Sequence, residues 1–166
     1  VLQQGDPLID QFHWIAEENN IEILIPQNPN SSETLIKLKS LSPDLFILAG
    51  YGLILKQKCL DIPDILSINL HGGKLPEYRG SSPMNWALIN GEKNVSISIV
   101  EVDSGIDTGS ILAESSLRID GNTNIYDLHS WANEEFSNLL IEVLAKIKKG
   151  TLSRVKQDEG KSRYYP

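Results

Sequence analysis

Apolar positions along this chain recur with two periods, one helical and one strand-like, and their alternation predicts an α/β protein. Leu8, Ile9, Phe12, Ile15 and Ala16 form one helical face behind Asp6-Pro7, a cap followed by a first-turn proline. "IEILIP" (21–26) reads as a short strand closed by proline. "NSSETLIKLKSL" (30–41) reads as an amphipathic helix opened by a capping box from Asn30 to Glu33. "DLFILAG" (44–50) and "DILSINL" (64–70) are continuous apolar runs, as expected of strands buried on both faces of a parallel sheet, with "KQKCL" as a short helix between them. A βαβα rhythm of this kind implies an open, mostly parallel, Rossmann-like sheet with right-handed crossovers.

After residue 82 the texture changes. Ser82-Pro83 opens a helix that runs to about Asn90, and "NG" (90–91) turns the chain. "NVSISIVEV" (94–102) alternates strictly, which predicts a half-buried strand, antiparallel at its far end, with Ser96 and Ser98 on the polar side. "DSGIDTG" (103–109) is a loop and "SILAESSLRI" (110–119) the second strand of a hairpin. From Thr123 a long helix keeps Ile125, Leu128, Phe136, Leu139, Leu140, Val143, Leu144 and Ile147 on its core side, and Gly150 ends it. The tail, "SRVKQ" to "SRYYP", reads as a strand and a stop. With no repeat or linker, residues 1–166 are expected to form a single domain. An α/β unit usually opens with a strand, so a leading βαβ portion is expected to precede residue 1, and a further segment to follow residue 166.

Composition narrows the classes. The apolar share is 40%, and no run approaches the roughly 18 residues of a membrane span. Nothing at the start reads as a signal peptide. The single cysteine, Cys59, cannot form an internal disulfide, and no Cys/His cluster has zinc spacing, so a cytoplasmic protein without a metal is expected. The net charge is −7, and the basic cluster Lys146, Lys148 and Lys149 sits where a helix end favours cations. That balance argues against extended nucleic-acid binding, which calls for a basic face.

Candidate chemistry gathers in "NLHGGKLPEYRG" (69–80). Asn69 and His71 end a strand, where open α/β sheets place their sites, and Asp107 lies in the hairpin loop 38 residues later. An amide can donate to a developing oxyanion, an imidazole can shuttle a proton, and a carboxylate can orient the imidazole. No G-x-S-x-G is present, and no histidine neighbours Cys59, so a serine or cysteine nucleophile finds no support. Asn, His and Asp without a nucleophile suit direct acyl transfer between two bound substrates. Taken singly, each residue has a plainer role, as a loop histidine, a turn former and a turn aspartate.

"NLHGGKLPEYRGSSPMNWALINGE", followed by "VDSGIDTGSIL", resembles the N10-formyltetrahydrofolate-dependent formyltransferases, and "SPDLFILAGYGLILKQKCLDIP" (42–63) resembles their pterin-holding strand and loop. The resemblance covers about residues 15–155. It implies Asn69, His71 and Asp107 as the catalytic set and N10-formyltetrahydrofolate as the formyl donor. Tyr51, Gly52, Leu53, Ile54, Leu55 and Ser81, with Asp103, Ser104, Gly105 and Ile106 opposite, are then expected to hold that donor. It also implies that His71 meets the oxyanion and relays a proton.

For the acceptor, "HGGKLP", Asn85-Trp86 and the acidic balance favour a nucleotide-linked amino sugar, with Lys74, Tyr78 and Arg79 meeting its diphosphate. Methionyl-tRNA is the alternative acceptor. A formyltetrahydrofolate hydrolase and a non-catalytic folate- or nucleotide-binding module are further alternatives. Trp86 is expected to pack rather than bind. Sugar members of the family tend to be dimers, which makes a homodimer the expectation that the resemblance carries.

Overall fold

A computed structural model describes residues 8–166 of the chain. The elements run α1 (Ile9–Glu18), α2 (Ser32–Ser40), β1 (Leu45–Ala49), α3 (Gln57–Leu60), β2 (Leu66–His71), β3 (Arg79–Gly80), α4 (Pro83–Ile89), β4 (Asn94–Glu101), β5 (Ile111–Arg118), α5 (Ile125–Lys149), a 3-10 turn (Glu159–Lys161) and β6 (Tyr164–Tyr165). Among the described residues a four-stranded sheet has the order β1-β2-β4-β5. β1 and β2 are parallel, while β4 is antiparallel to both β2 and β5. The α/β class, with an open sheet and an antiparallel hairpin, is therefore present. β3 and β6 form a separate parallel ribbon, which brings the tail to the loop after β2.

The hairpin and α5 make the core. Val95, Ile97 and Ile99 of β4 are buried against Leu128, Ala132, Leu139 and Val143 of α5, and Met84 and Ala87 of α4 join them. α5 opens on a capping box in which Asn124 and Asp127 exchange bonds, and closes on Gly150 at φ 66. The lysines of its last turn remain a charged helix end, with Lys146 paired to Glu142. Trp86 packs, tilted, on Tyr165.

Several expectations are corrected. Asp6-Pro7 lies outside the described residues. Residues 21–26 are not a strand: the segment is apolar and β-branched enough, but it joins no described ladder, and a strand exists only as a paired one. The cap of α2 is Ser31, whose Oγ accepts from the Thr34 N–H, and not Asn30. Asn30 is occupied elsewhere, donating to the Ile54 carbonyl at 2.8 Å and accepting from the Lys56 N–H at 2.7 Å. Before α4, Ser82 is left-handed (φ 50) and makes no side-chain cap bond. Along β1 burial is partial, because β1 edges the described sheet and Ile47 is 44% exposed. β4, read as half-buried, is buried on both faces, because its serine side is covered as well as its apolar one. Its Ser98 is fully buried and donates to the Gly73 carbonyl at 2.9 Å.

Candidate active site

Alternate residues of a strand share a face, so Asn69 and His71 project from the same side of β2. The chain then turns through Gly72 and Gly73. A Cβ on Gly73 would lie 2.9 Å from both His71 Nε2 and the Tyr78 carbonyl oxygen, and 2.6 Å from Pro83 Cβ. The first two atoms are only 2.6 Å apart. Gly73 is glycine so that the loop can close over the imidazole.

That closure settles the His71 ring. The Tyr78 carbonyl can only accept, so Nε2 carries a hydrogen, and Nδ1 faces Asp107 Oδ2 at 3.5 Å. Asp107 sits in the left-handed region (φ 54) and offers both carboxylate oxygens to donors. Oδ1 accepts from Asn69 Nδ2 at 3.3 Å, and Oδ2 accepts from the Gly80 N–H at 2.9 Å. Among the described residues, one hydrogen of the Asn69 amide is used in this way and the other is not. Asn69 and His71 thus converge on Asp107, with His71 5% and Asp107 11% exposed.

Beside them opens a cleft of about 340 Å³. Tyr51, Leu53, Ile54 and Leu55 form one wall; Asp103, Ser104, Gly105 and Ile106 form the other; Asn69 and Asp107 lie between. Ile54 and Ile106, which both line the cleft, expose large apolar surfaces, 72% and 46%. Asp103 stiffens its wall by accepting from the Gly105 N–H at 2.9 Å and from the Thr108 hydroxyl. The Tyr51 hydroxyl is buried without a hydrogen-bond partner among the described residues. Its pKa is raised, chiefly by burial and secondarily by Cys59. One apolar wall, Ile106 on the more polar wall opposite it, and a polar floor fit a flat heterocycle with polar edges, which is what a reduced folate presents.

Not every expected residue joins this cleft. Gly52 follows Tyr51 on the same loop but does not line the space, and neither does Ser81, whose N–H donates to the Tyr165 carbonyl. His71 is absent from the lining as well, and its two nitrogens face Tyr78 and Asp107; direct contact with an oxyanion is not what this geometry offers. Arg79 is 7% exposed, with its guanidinium turned inward onto Gln157 and Glu159, so it is not available to a diphosphate. Tyr78 stacks on Tyr165 at 5.1 Å and donates its hydroxyl to Glu92 at 2.6 Å. Burial, and then this hydrogen bond, push the Tyr78 phenol up to about 12. Lys74 alone of that trio reaches solvent, paired with Glu77 at 2.9 Å, whose hydrogen bond holds the ammonium pKa up.

Sequence reading missed Leu48, Val100, Glu101 and Val102 of the cleft, and Gln157, which donates to the Asp107 and Gly109 carbonyls at 2.8 and 2.7 Å. The first four were read only as strand residues. No local pattern marked Gln157, because its partners lie 48 and 50 residues away.

Comparison with known proteins agrees with this architecture. Methionyl-tRNA formyltransferase of Acetivibrio thermocellus is 40% identical over 160 residues, which cover 96% of this chain and 50% of that protein. The chain spans about half the length of the curated relatives it matches. Among solved structures, the sugar 3N-formyl transferase WlaRD, in the presence of dTDP and 5-N-formyl-THF, aligns with a TM-score of 0.75 at 22% identity, over 98% of this chain and 57% of that one. Methionyl-tRNA formyltransferase from Clostridium thermocellum aligns with a TM-score of 0.70 at 22% identity, over 98% and 69%. At such identities these two structures show the shared fold. Residues 10–144 match the Formyl transferase family, and the chain belongs to it.

Proposed function

We propose that this chain carries the formyl-transfer site of an enzyme that moves a formyl group from N10-formyltetrahydrofolate to the amine of methionyl-tRNA. One observation carries the chemistry: Asn69 and Asp107 meet at the floor of an apolar-walled cleft, with His71 locked behind Asp107. The tRNA acceptor is favoured by the relatives that match 96% of the chain and are named for it. It is favoured too by Tyr78 and Arg79, which are turned inward rather than toward a diphosphate.

The donor supplies a formyl carbonyl attached to N10. The walls formed by Leu53, Ile54, Leu55 and Ile106 sandwich its ring and exclude water from the floor. The unused Asn69 N–H donates to the carbonyl oxygen as charge develops there when the neutral acceptor amine adds. Asp107, directly or through one water, takes the proton that the amine loses and returns it to N10 as the C–N10 bond breaks, so no net proton is consumed. His71, held by the Tyr78 carbonyl, packs behind Asp107 as a positioning residue. The chain's acidic balance confines it to the reacting end of the acceptor.

A nucleotide-linked amino sugar is the second reading, favoured by Lys74, which remains exposed in the loop after β2. The discriminating experiment offers N10-formyltetrahydrofolate together with methionyl-tRNA, with a dTDP- or UDP-linked 4-amino sugar, or with water alone. Formylmethionyl-tRNA is the expected product, lost in Asp107→Ala. A formamido sugar would select the second reading and formate release in water alone a hydrolase; absence of any formyl transfer would defeat the proposal. His71→Ala should lower kcat more than KM, and near-normal turnover would remove His71 from the mechanism.

A further inference from the structure

Asp107 holds a backbone conformation that side chains other than glycine rarely adopt, and its loop needs something to keep it there. The Gln157 amide lies beneath that loop. Two carbonyl oxygens, of Asp107 and Gly109, sit 2.8 and 2.7 Å from one end of it. The Arg79 guanidinium sits at the other end, with Nε at 3.1 Å and Nη2 at 2.9 Å. Arginine can only donate and carbonyls can only accept, so the amide has a single permitted orientation, Oε1 toward Arg79 and Nε2 toward the loop. Arg79 is aimed in turn by Glu159, which accepts from Nη1 at 3.0 Å and from Nη2 at 2.6 Å. On its other flank the ribbon of β3 with β6 holds Arg79 and Gly80 in register with Tyr164 and Tyr165, and Gly80 places its N–H on the Asp107 carboxylate.

We infer that Gln157, oriented by Arg79 and Glu159, is a positioning residue that clamps the Asp107 loop in its reactive geometry. Backbone and carboxylate of Asp107 are then gripped from two sides, Gln157 on the carbonyl and Gly80 on Oδ2. The tail thereby becomes part of the site without lining the cleft. The inference rests on the formyl-transfer reading for its kinetic consequence, but the clamp itself has a readout that needs no turnover.

The test compares Gln157→Glu with Gln157→Met. Gln157→Glu keeps an acceptor for Arg79 but turns an oxygen toward two carbonyls; Gln157→Met keeps the bulk and loses both functions. Hydrogen exchange of the amides in residues 103–109 is measured beside steady-state kinetics and the melting temperature. Both variants should accelerate exchange in that segment while leaving β4 and α5 protected, and should lower kcat by about 10- to 100-fold with the donor KM changed by less than about twofold. Unchanged exchange in both variants overturns the clamp, and faster exchange with unchanged kcat overturns its bearing on the reaction. Should both fail to fold, Glu159→Gln at an exposed position carries the same exchange test, and unchanged exchange there decides against it. An unsubstituted protein that transfers no formyl group defeats the functional reading alone, because the exchange result stands apart.

Discussion

The floor of the cleft and the wall carrying Ile54 are built by opposite rules. Asp107 is tied through Asn69, Gly80 and Gln157 and is nearly enclosed. Across from it, the loop after β1 exposes Ile54 and is secured to its surroundings by Asn30, which bonds the Ile54 carbonyl and the Lys56 N–H. A group that handles a proton must be held to a fraction of an ångström, which directional hydrogen bonds achieve. A wall for a flat ring needs apolar area, which exposed side chains such as Ile54 on this loop provide. The proposed function puts chemistry on the cross-tied side and binding on the more exposed one.

The largest expected effect removes the tied side. Asp107→Ala and Asn69→Ala should each lower kcat by about 10²- to 10⁴-fold with little change in donor KM or melting temperature. A loss confined to KM would place these residues in binding and collapse the contrast. Next comes Gly73→Ala, whose methyl group has no room between His71 and the Tyr78 carbonyl. It should cost about 1–3 kcal/mol in denaturant unfolding and lower kcat by parting the two atoms. Full stability and activity would show that the loop tolerates a wider gap.

The more exposed wall answers to Asn30→Ala, which frees the tether. Donor KM should rise several-fold with kcat largely retained, and stability should fall by about 1 kcal/mol. A kcat loss as large as that of Asp107→Ala would erase the distinction between floor and wall. The smallest effect is a pH dependence. The Tyr78 phenol, at 10.0 when unperturbed, stands at about 12 in the folded chain, so the protonated form is favoured by folding. Its contribution is fully present below pH 10 and is lost as the pH rises toward 12, because the unfolded chain releases the proton first. The melting temperature should therefore fall across that window, and Tyr78→Phe should flatten the fall.

Much of the fold was legible because local patterns and tertiary demands agree in it. Capping, period and a terminal glycine defined α5, and the alternation of β4 and β5 defined the hairpin. Residues 21–26 misled because apolar, β-branched composition records a capacity to pair and contains no partner. The alternation in β4 likewise could not say that its polar face would be covered, as Ser98 is by the Gly73 carbonyl. That Asn69, His71 and Asp107 would lie together was legible from motif and spacing. The inward turn of Arg79 was not, since a loop arginine beside glycines reads the same whether its partner is a phosphate or Glu159.

By itself the sequence determined the family, the class of fold, and the residue types gathered at the end of β2 and in the hairpin loop, because each is written in short-range pattern. Only the tertiary structure decided which of those side chains face the cleft, that His71 stands behind Asp107, and that the tail reaches back through Gln157 and Arg79. The reason is physical. A hydrogen bond between residues 50 or 78 positions apart leaves no local period to read, and its direction is settled only when donors and acceptors are brought together in space.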